Sequence, residues 1–129
     1  MKESSYTKEH SKSGLKDKLP KIDVFPNHFK KYEVEIHTSE FTSICPKTGL
    51  PDFGKITVHY SPKKSLIELK SFKMYLLGYR NLGIFNENIV NRILDDVVSA
   101  CNPEWAEVLG EFTSRGGLST TVVARFPRK

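Results

Sequence analysis

Apolar residues change their spacing along this chain, and that change constrains the fold more than any single motif. Tyr32, Val34 and Ile36 alternate with Glu33, Glu35 and His37, the period of a half-buried strand. After a loop with Pro46, Gly49 and Pro51, the segment 55–60 repeats the alternation, which predicts an antiparallel pair. Pro62-Lys63-Lys64 turns the chain, and Leu66 to Glu68 reads as a short extended piece. The spacing then lengthens. Phe72, Tyr75, Leu76 and Tyr79 predict a helix over 71–79, and Ile89, Val90, Ile93, Leu94, Val97 and Val98 form a two-wide stripe with Arg92, Asp95 and Asp96 on a wet face. Asn86 is the expected cap of this second helix, Glu87 lies in its first turn, and Asn102-Pro103 stops it. Segments 104–112 and 118–126 are strands again, joined by Thr113-Ser114-Arg115-Gly116-Gly117, whose glycines suit a tight hairpin. The order strand, strand, helix, helix, strand, strand means α+β: an antiparallel four-stranded sheet with two helices on one face. Such a sheet has two open edges, which small sheets often close by joining copies of the chain.

Charge is unevenly placed. The 129 residues, enough for one domain, carry a formal +5. Residues 1–22 hold six Lys against Glu3, Glu9 and Asp17, and the end holds Arg125, Arg128 and Lys129. Between them, residues 23–124 have eleven Lys and Arg against twelve Asp and Glu, a net of −1. A domain that grips a phosphate backbone carries its excess on its own surface, so no direct nucleic-acid partner is expected. Residues 1–22 show almost no apolar pattern and read as a flexible basic tail ahead of a single domain over 23–129. No apolar run approaches the roughly 20 residues that span a bilayer, and Met1-Lys2-Glu3-Ser4-Ser5 has no apolar segment behind it, so a cytoplasmic protein without a membrane partner is expected.

Cys45 and Cys101 have no second Cys or His at metal-ligand spacing, so a disulfide framework and a metal are both unexpected. Cys101 ends an apolar helix stripe and fits a buried small hydrophobe. Cys45 sits instead in a loop dense in turn residues, with Lys47 two positions on and Asp52 seven positions on. A nearby cation favours the thiolate, and a neighbouring carboxyl can give or take a proton. Read on its own, the pair is a weak signal that fits a turn-stabilising Asp beside a half-buried Cys better than a reactive pair. Glu87 likewise fits either a dipole-stabilising first-turn residue or an acceptor for a paired N–H edge such as that of a guanine-type base. Lys70, Lys73 and Arg115 can hold phosphates or be solvated charges.

Longer motifs add to this reading. Ile67-Glu68-Leu69-Lys70-Ser71-Phe72-Lys73-Met74-Tyr75-Leu76 resembles the signature of the NADPH-dependent 7-cyano-7-deazaguanine (preQ0) nitrile reductases of the unimodular type. Phe41-Thr42-Ser43-Ile44-Cys45-Pro46-Lys47-Thr48-Gly49 with Pro51-Asp52-Phe53 resembles that family's nucleophile loop, and Arg80-Asn81, Gly83-Ile84-Phe85 and Phe112-Thr113-Ser114-Arg115-Gly116-Gly117 match in order and spacing. The likeness runs from about residue 23 to 120.

The resemblance implies the tunnelling fold (T-fold), whose units assemble into ring-like barrels, and reduction of a nitrile to an aminomethyl group with two NADPH on the route to queuosine in tRNA. It implies Cys45 as the nucleophile forming a thioimide and Asp52 as proton donor. Ile67, Glu68, Leu69, Asn86 and Glu87 would bind the substrate, and Lys70, Lys73 and Arg115 the NADPH phosphates, in a homo-oligomer with sites at subunit contacts. No G-x-G-x-x-G follows a strand, so NADPH is implied by the resemblance alone. Asn86 stands where many members have His, an amide that hydrogen-bonds but does not titrate. Leu69 replaces a frequent Ser, and the chain stops soon after the Gly-Gly turn, short of the C-terminal segment of some members. A related amidine-forming enzyme uses the same Cys and Asp on a nitrile in tRNA without NADPH, but its relatives lack the Lys-Ser-Phe-Lys run. GTP cyclohydrolase I would need zinc ligands, and an RNA-binding module would rest on the charged termini alone.

Overall fold

The computed structural model describes residues 7–128, with the side chains of Ser114 and Arg115 outside the described set. The elements are α1 (Lys8–Lys12), β1 (Val24–Pro26), β2 (Val34–Ile44), β3 (Pro51–Ser61), β4 (Ser65–Ile67), α2 (Leu69–Leu77), α3 (Asn86–Cys101), β5 (Trp105–Arg115) and β6 (Leu118–Phe126). β2, β3, β5 and β6 form one antiparallel sheet in that order, and β1 pairs with β4 in a separate ribbon. The α+β class and the order of the four sheet strands and the two longer helices are those the spacing predicts, whereas α1 and β1 are not expected from it. The β5–β6 turn is tighter than the five-residue loop expected: Arg115 pairs with Leu118, leaving Gly116 and Gly117 at φ 65° and 89°. Positive φ at both central positions is what a two-residue hairpin turn requires.

The core lies between the sheet and α3. Ile56, Val58 and Tyr60 of β3 and Ala106, Val108 and Phe112 of β5 meet Ile89, Val90, Ile93, Leu94 and Val97 of α3, all buried. Each such apolar side chain contributes on the order of 1.5–3 kcal/mol when fully buried. α2 and the turn after it close one end through Phe72, Tyr75 and Tyr79, with Tyr79 tilted on Phe41 of β2 at 5.4 Å between rings.

A bulge in β2 decides which residues reach that core. Thr38 pairs with Ile56 and Phe41 with Gly54, so β2 carries one residue more than β3 between these pairs. Side chains alternate across a strand, and one extra residue exchanges the two faces. Before the bulge the inward set is Val34, Ile36 and Thr38; after it, Phe41 and Ser43 are buried. Cys45 is the next position of that second series.

Two expectations are corrected here. The first is the free basic tail. Residues 1–6 lie outside the described residues, but from Ser11 the chain is docked on the domain: Ser13 Oγ donates to Gly83 O at 2.6 Å, Asn88 Nδ2 donates to Ser11 O at 2.7 Å, and Arg92 donates to the carbonyls of Gly14 and Asp17. Gly14 makes this approach possible. At φ 80° it lies so close to the Gly83–Ile84 segment that an added Cβ would be 2.6 Å from Ile84 Cβ. Composition missed the segment because its anchors are carbonyls and small residues. The second correction concerns the wet face of α3. Arg92 has only 12% of its side chain exposed, and Asp96 accepts a 2.5 Å bond from the Tyr75 hydroxyl, itself 2.8 Å from that of Tyr79. Burial pushes both phenols far above their usual range.

Candidate active site

β2 ends at Ile44, and a closed turn begins at Cys45. The Cys45 N–H donates to Leu50 O and the Gly49 N–H to Cys45 O, both at 2.9 Å. Ile44 also forms a parallel bridge with Gly83, its N–H donating to Leu82 O at 3.0 Å and its O accepting from the Ile84 N–H at 2.9 Å. That bridge sets the turn beside the segment that feeds α3. Across the hairpin, Ser43 is the direct partner of Asp52. The β2–β3 ladder and the Ile44–Gly83 bridge thus gather Cys45, Asp52 and the start of α3, three parts of the predicted site.

The electrostatics of Cys45 favour the thiolate. Partial burial and the Asp52 carboxylate raise its pKa, but hydrogen bonds from the Thr48 hydroxyl and from the backbone N–H groups of Thr48 and Lys47 outweigh them, and the thiol lies below its ordinary value. Lys47, expected to act as a cation, acts here through its peptide N–H. The turn itself makes the anion site, as closely spaced N–H groups commonly do. Cys101 is the reverse case, pushed up to about 11 by burial.

Asn86 is not the cap of α3. Phe85 holds the N-cap position in extended backbone with no side-chain cap bond, and Asn86 is the first helical residue. Its Oδ1 is buried with no hydrogen-bond partner, and so is Ser43 Oγ, the hydroxyl of a fully buried residue. A buried polar group left without a partner costs about 1–3 kcal/mol. Glu87, one residue on, is exposed in the first turn, leaving its carboxylate accessible from solvent. Ser43 was not singled out from the sequence, since a serine in an alternating strand carries no signal without knowledge of the bulge.

The remaining predicted residues lie at the β4–α2 junction. Ile67 is buried, its N–H donating to the Tyr60 hydroxyl at 2.9 Å, whereas Leu69 is 61% exposed. Glu68 caps α2: its two carboxylate oxygens accept from the N–H groups of Ser71 at 2.7 Å and Lys70 at 2.8 Å, which hold it below the usual carboxylate range. Each oxygen keeps a further lone pair. Lys70 and Lys73 are exposed. Lys73 and Leu69 line a groove of about 500 Å³ between α2 and β2, together with His37, Leu76, Leu77 and Arg80. Among the described residues neither Lys73 nor Arg80 forms an ion pair. The Arg115 assignment falls on a side chain outside the described set. A second cleft, of about 610 Å³ under residues 19–24, is lined by Tyr75, Arg92 and Asp96 and belongs to the docked N-terminal segment.

Among the described residues no group of His, Cys, Asp and Glu is placed to hold a metal, and no helix is long and apolar enough to cross a membrane.

Known proteins place this geometry in context. Residues 51–129 match the family model described as QueF-like protein. A protein of Elusimicrobium minutum named NADPH-dependent 7-cyano-7-deazaguanine reductase is 55% identical over 125 residues, covering 96% of this chain and 95% of that one. A protein of the same name from Chlorobaculum tepidum is 56% identical over 109 residues, 83% of this chain and 93% of its own. Among solved structures, an archaeosine synthase QueF-Like in the apo form superposes with a TM-score of 0.70 at 26% identity, over 75% of this chain and 95% of that chain. A family match over more than half the chain, joined to identity above one half along nearly its whole length, shows that this chain belongs to the QueF-like protein family.

Proposed function

We propose that this chain reduces the nitrile of 7-cyano-7-deazaguanine to an aminomethyl group with NADPH, in the route to queuosine. One observation carries the reading: relatives that match it over most of both lengths at 55% and 56% identity bear the name NADPH-dependent 7-cyano-7-deazaguanine reductase. The fold by itself does not choose, since the archaeosine synthase shares it at 26% identity. In this reading the tunnelling-fold unit is of the unimodular type and works in the cytoplasm as a homo-oligomer. Neighbouring copies join at the β2 and β6 edges and complete each other's sites.

The chemistry follows from the residue types. A nitrile carbon is a modest electrophile that suits a soft thiolate. Cys45 Sγ bonds to that carbon, one π bond of the nitrile opens, and its electron pair moves to nitrogen. Asp52 protonates the nitrogen, giving the thioimide. Asn86 Oδ1, buried and without a partner, supports an acceptor role toward a substrate N–H, and Glu87 is suited to a paired N–H edge of the base. Ile67, Glu68 and Leu69 line the base. Lys73 suits a phosphate of NADPH because its ammonium is exposed and unpaired among the described residues. Arg80 on the same groove, Lys70 and Arg115 complete the cationic set. Two NADPH, when bound in turn, would each supply one hydride toward the amine level, and the S–C bond breaks between them so that Cys45 leaves as the thiolate.

The test is NADPH consumption by the purified chain with 7-cyano-7-deazaguanine, beside Cys45→Ala, with intact mass reporting the covalent adduct. Oxidation and adduct in the wild type, both absent in the variant, are expected. Ammonia incorporation into tRNA without NADPH oxidation would assign the amidine-forming reaction instead.

A further inference from the structure

Ser43 is fully buried, its hydroxyl has no hydrogen-bond partner, and it stands directly opposite Asp52 in the β2–β3 ladder. Directly opposed residues of an antiparallel pair share a face, with Cβ atoms about 4.5–5.5 Å apart. The bulge at Thr38–Phe41 is what turns Ser43 inward, onto the face that Cys45 continues. We propose that Ser43 is a positioning residue for the proton donor, its hydroxyl donating to the carboxylate that Asp52 becomes once its proton has left. The proposal rests on the reductase reading given above and adds a residue to it.

The balance of the first step calls for such a donor. Cys45, having lost its proton to water, supplies the electron pair of the new S–C bond. A nitrile π pair moves to nitrogen and takes the Asp52 proton. The carboxyl that was neutral is then an anion in a site closed off from water by substrate, where each added donor stabilises the ion. Ser43 Oγ–H supplies one hydrogen bond across the ladder, and it forms when the charge appears. Catalytic hydrogen bonds are often unmade before substrate binds, which agrees with an idle hydroxyl in the resting structure. Three other ionisable groups lie close in the chain or across the bridge: Cys45 at the end of β2, Lys47 in the turn and Glu87 at the start of α3.

The experiment mixes the full chain with 7-cyano-7-deazaguanine in the absence of NADPH and follows adduct mass against time over a pH series. Ser43→Ala is expected to form the adduct about tenfold more slowly, and the alkaline limb, where the acid loses its proton, moves to higher pH because the ionised form has lost a donor. Ser43→Thr, which keeps the hydroxyl, should restore both. Iodoacetamide alkylation of Cys45 should stay at the wild-type rate in each variant, which separates this effect from a disturbed nucleophile or fold. An unchanged rate and limb in Ser43→Ala would overturn the proposal, as would Ser43→Thr matching Ser43→Ala. No adduct in the wild type would instead sink the reductase reading itself.

Discussion

Two polar clusters meet α3, and they are built in opposite ways. Halfway along the helix, Arg92 and Asp96 join Tyr75, Tyr79 and the carbonyls of Gly14 and Asp17, and every one of these groups has a partner. At the N-terminus of the same helix, Asn86 Oδ1 and, on the neighbouring strand, Ser43 Oγ are buried with none. Both clusters lie largely out of water, so the difference is not exposure. A satisfied buried network holds elements together, here α2, α3 and the docked segment. An unsatisfied one persists where something outside the chain supplies the missing partner. The first is structural, and the second fits the substrate site proposed above.

The comparison predicts that stability and activity separate between the clusters. Cys45→Ala should lower NADPH turnover by about 10³-fold or more while leaving the thermal midpoint within a degree or so of wild type, because the thiol is the nucleophile of the proposed reaction and lies outside the buried core. Tyr75→Phe should do the reverse. It removes the hydroxyl that bridges Asp96 and Tyr79, and a lost hydrogen bond to a partly buried carboxylate costs about 1–3 kcal/mol. Calorimetry should show the midpoint falling by several degrees with turnover at saturating substrate close to wild type. Were Tyr75→Phe to slow turnover at an unchanged midpoint, the two clusters would not be separate in function. Gly14→Ala should cost about 1–2 kcal/mol for a positive φ in a residue with Cβ, and more where the Cβ meets Ile84. Its signature is faster tryptic cleavage after Lys12 and Lys16.

The same contrast explains what the sequence disclosed. Strand and helix order was legible because Val34, Ile36, Ile89, Val90 and Ile93 report burial through spacing alone. Cys45 and Asp52 were legible as a motif, and the β2–β3 ladder brings them to one hairpin mouth. The bulge was not, because Thr38, Ser39 and Glu40 carry no turn signature, and without it Ser43 and Cys45 fall on the wrong side of the alternation. Nor was the role of Arg92. A helical wheel assigns it to solvent, whereas its partners lie 75 and 78 residues away, on backbone carbonyls that no side-chain pattern records. Asn86 looked like a cap because its residue type favours that position, but Phe85 reaches the N-cap first and the amide turns inward.

The smallest effect concerns the thiols, and it separates the turn from the nucleophile it carries. Cys45 lies below its ordinary value and Cys101 is raised to about 11, so iodoacetamide at mildly alkaline pH should label Cys45 first. The sign follows from which form reacts. The thiolate is present above the folded pKa and is lost as pH falls through it, so the alkylation rate of Cys45 should hold to lower pH than that of a free cysteine, near 8.5. The Thr48 hydroxyl is a main lowering contact. Thr48→Ala removes it, along with the 3.2 Å bond that the hydroxyl accepts from the Leu50 N–H, while the Cys45–Leu50 and Gly49–Cys45 backbone bonds that close the turn remain. The alkylation midpoint should therefore move to higher pH, by less than a variant that opened the turn. An unmoved midpoint would assign the lowered thiol to the Thr48 and Lys47 peptide N–H groups alone, and the nucleophile would then depend on the closure of the turn rather than on any side chain in it.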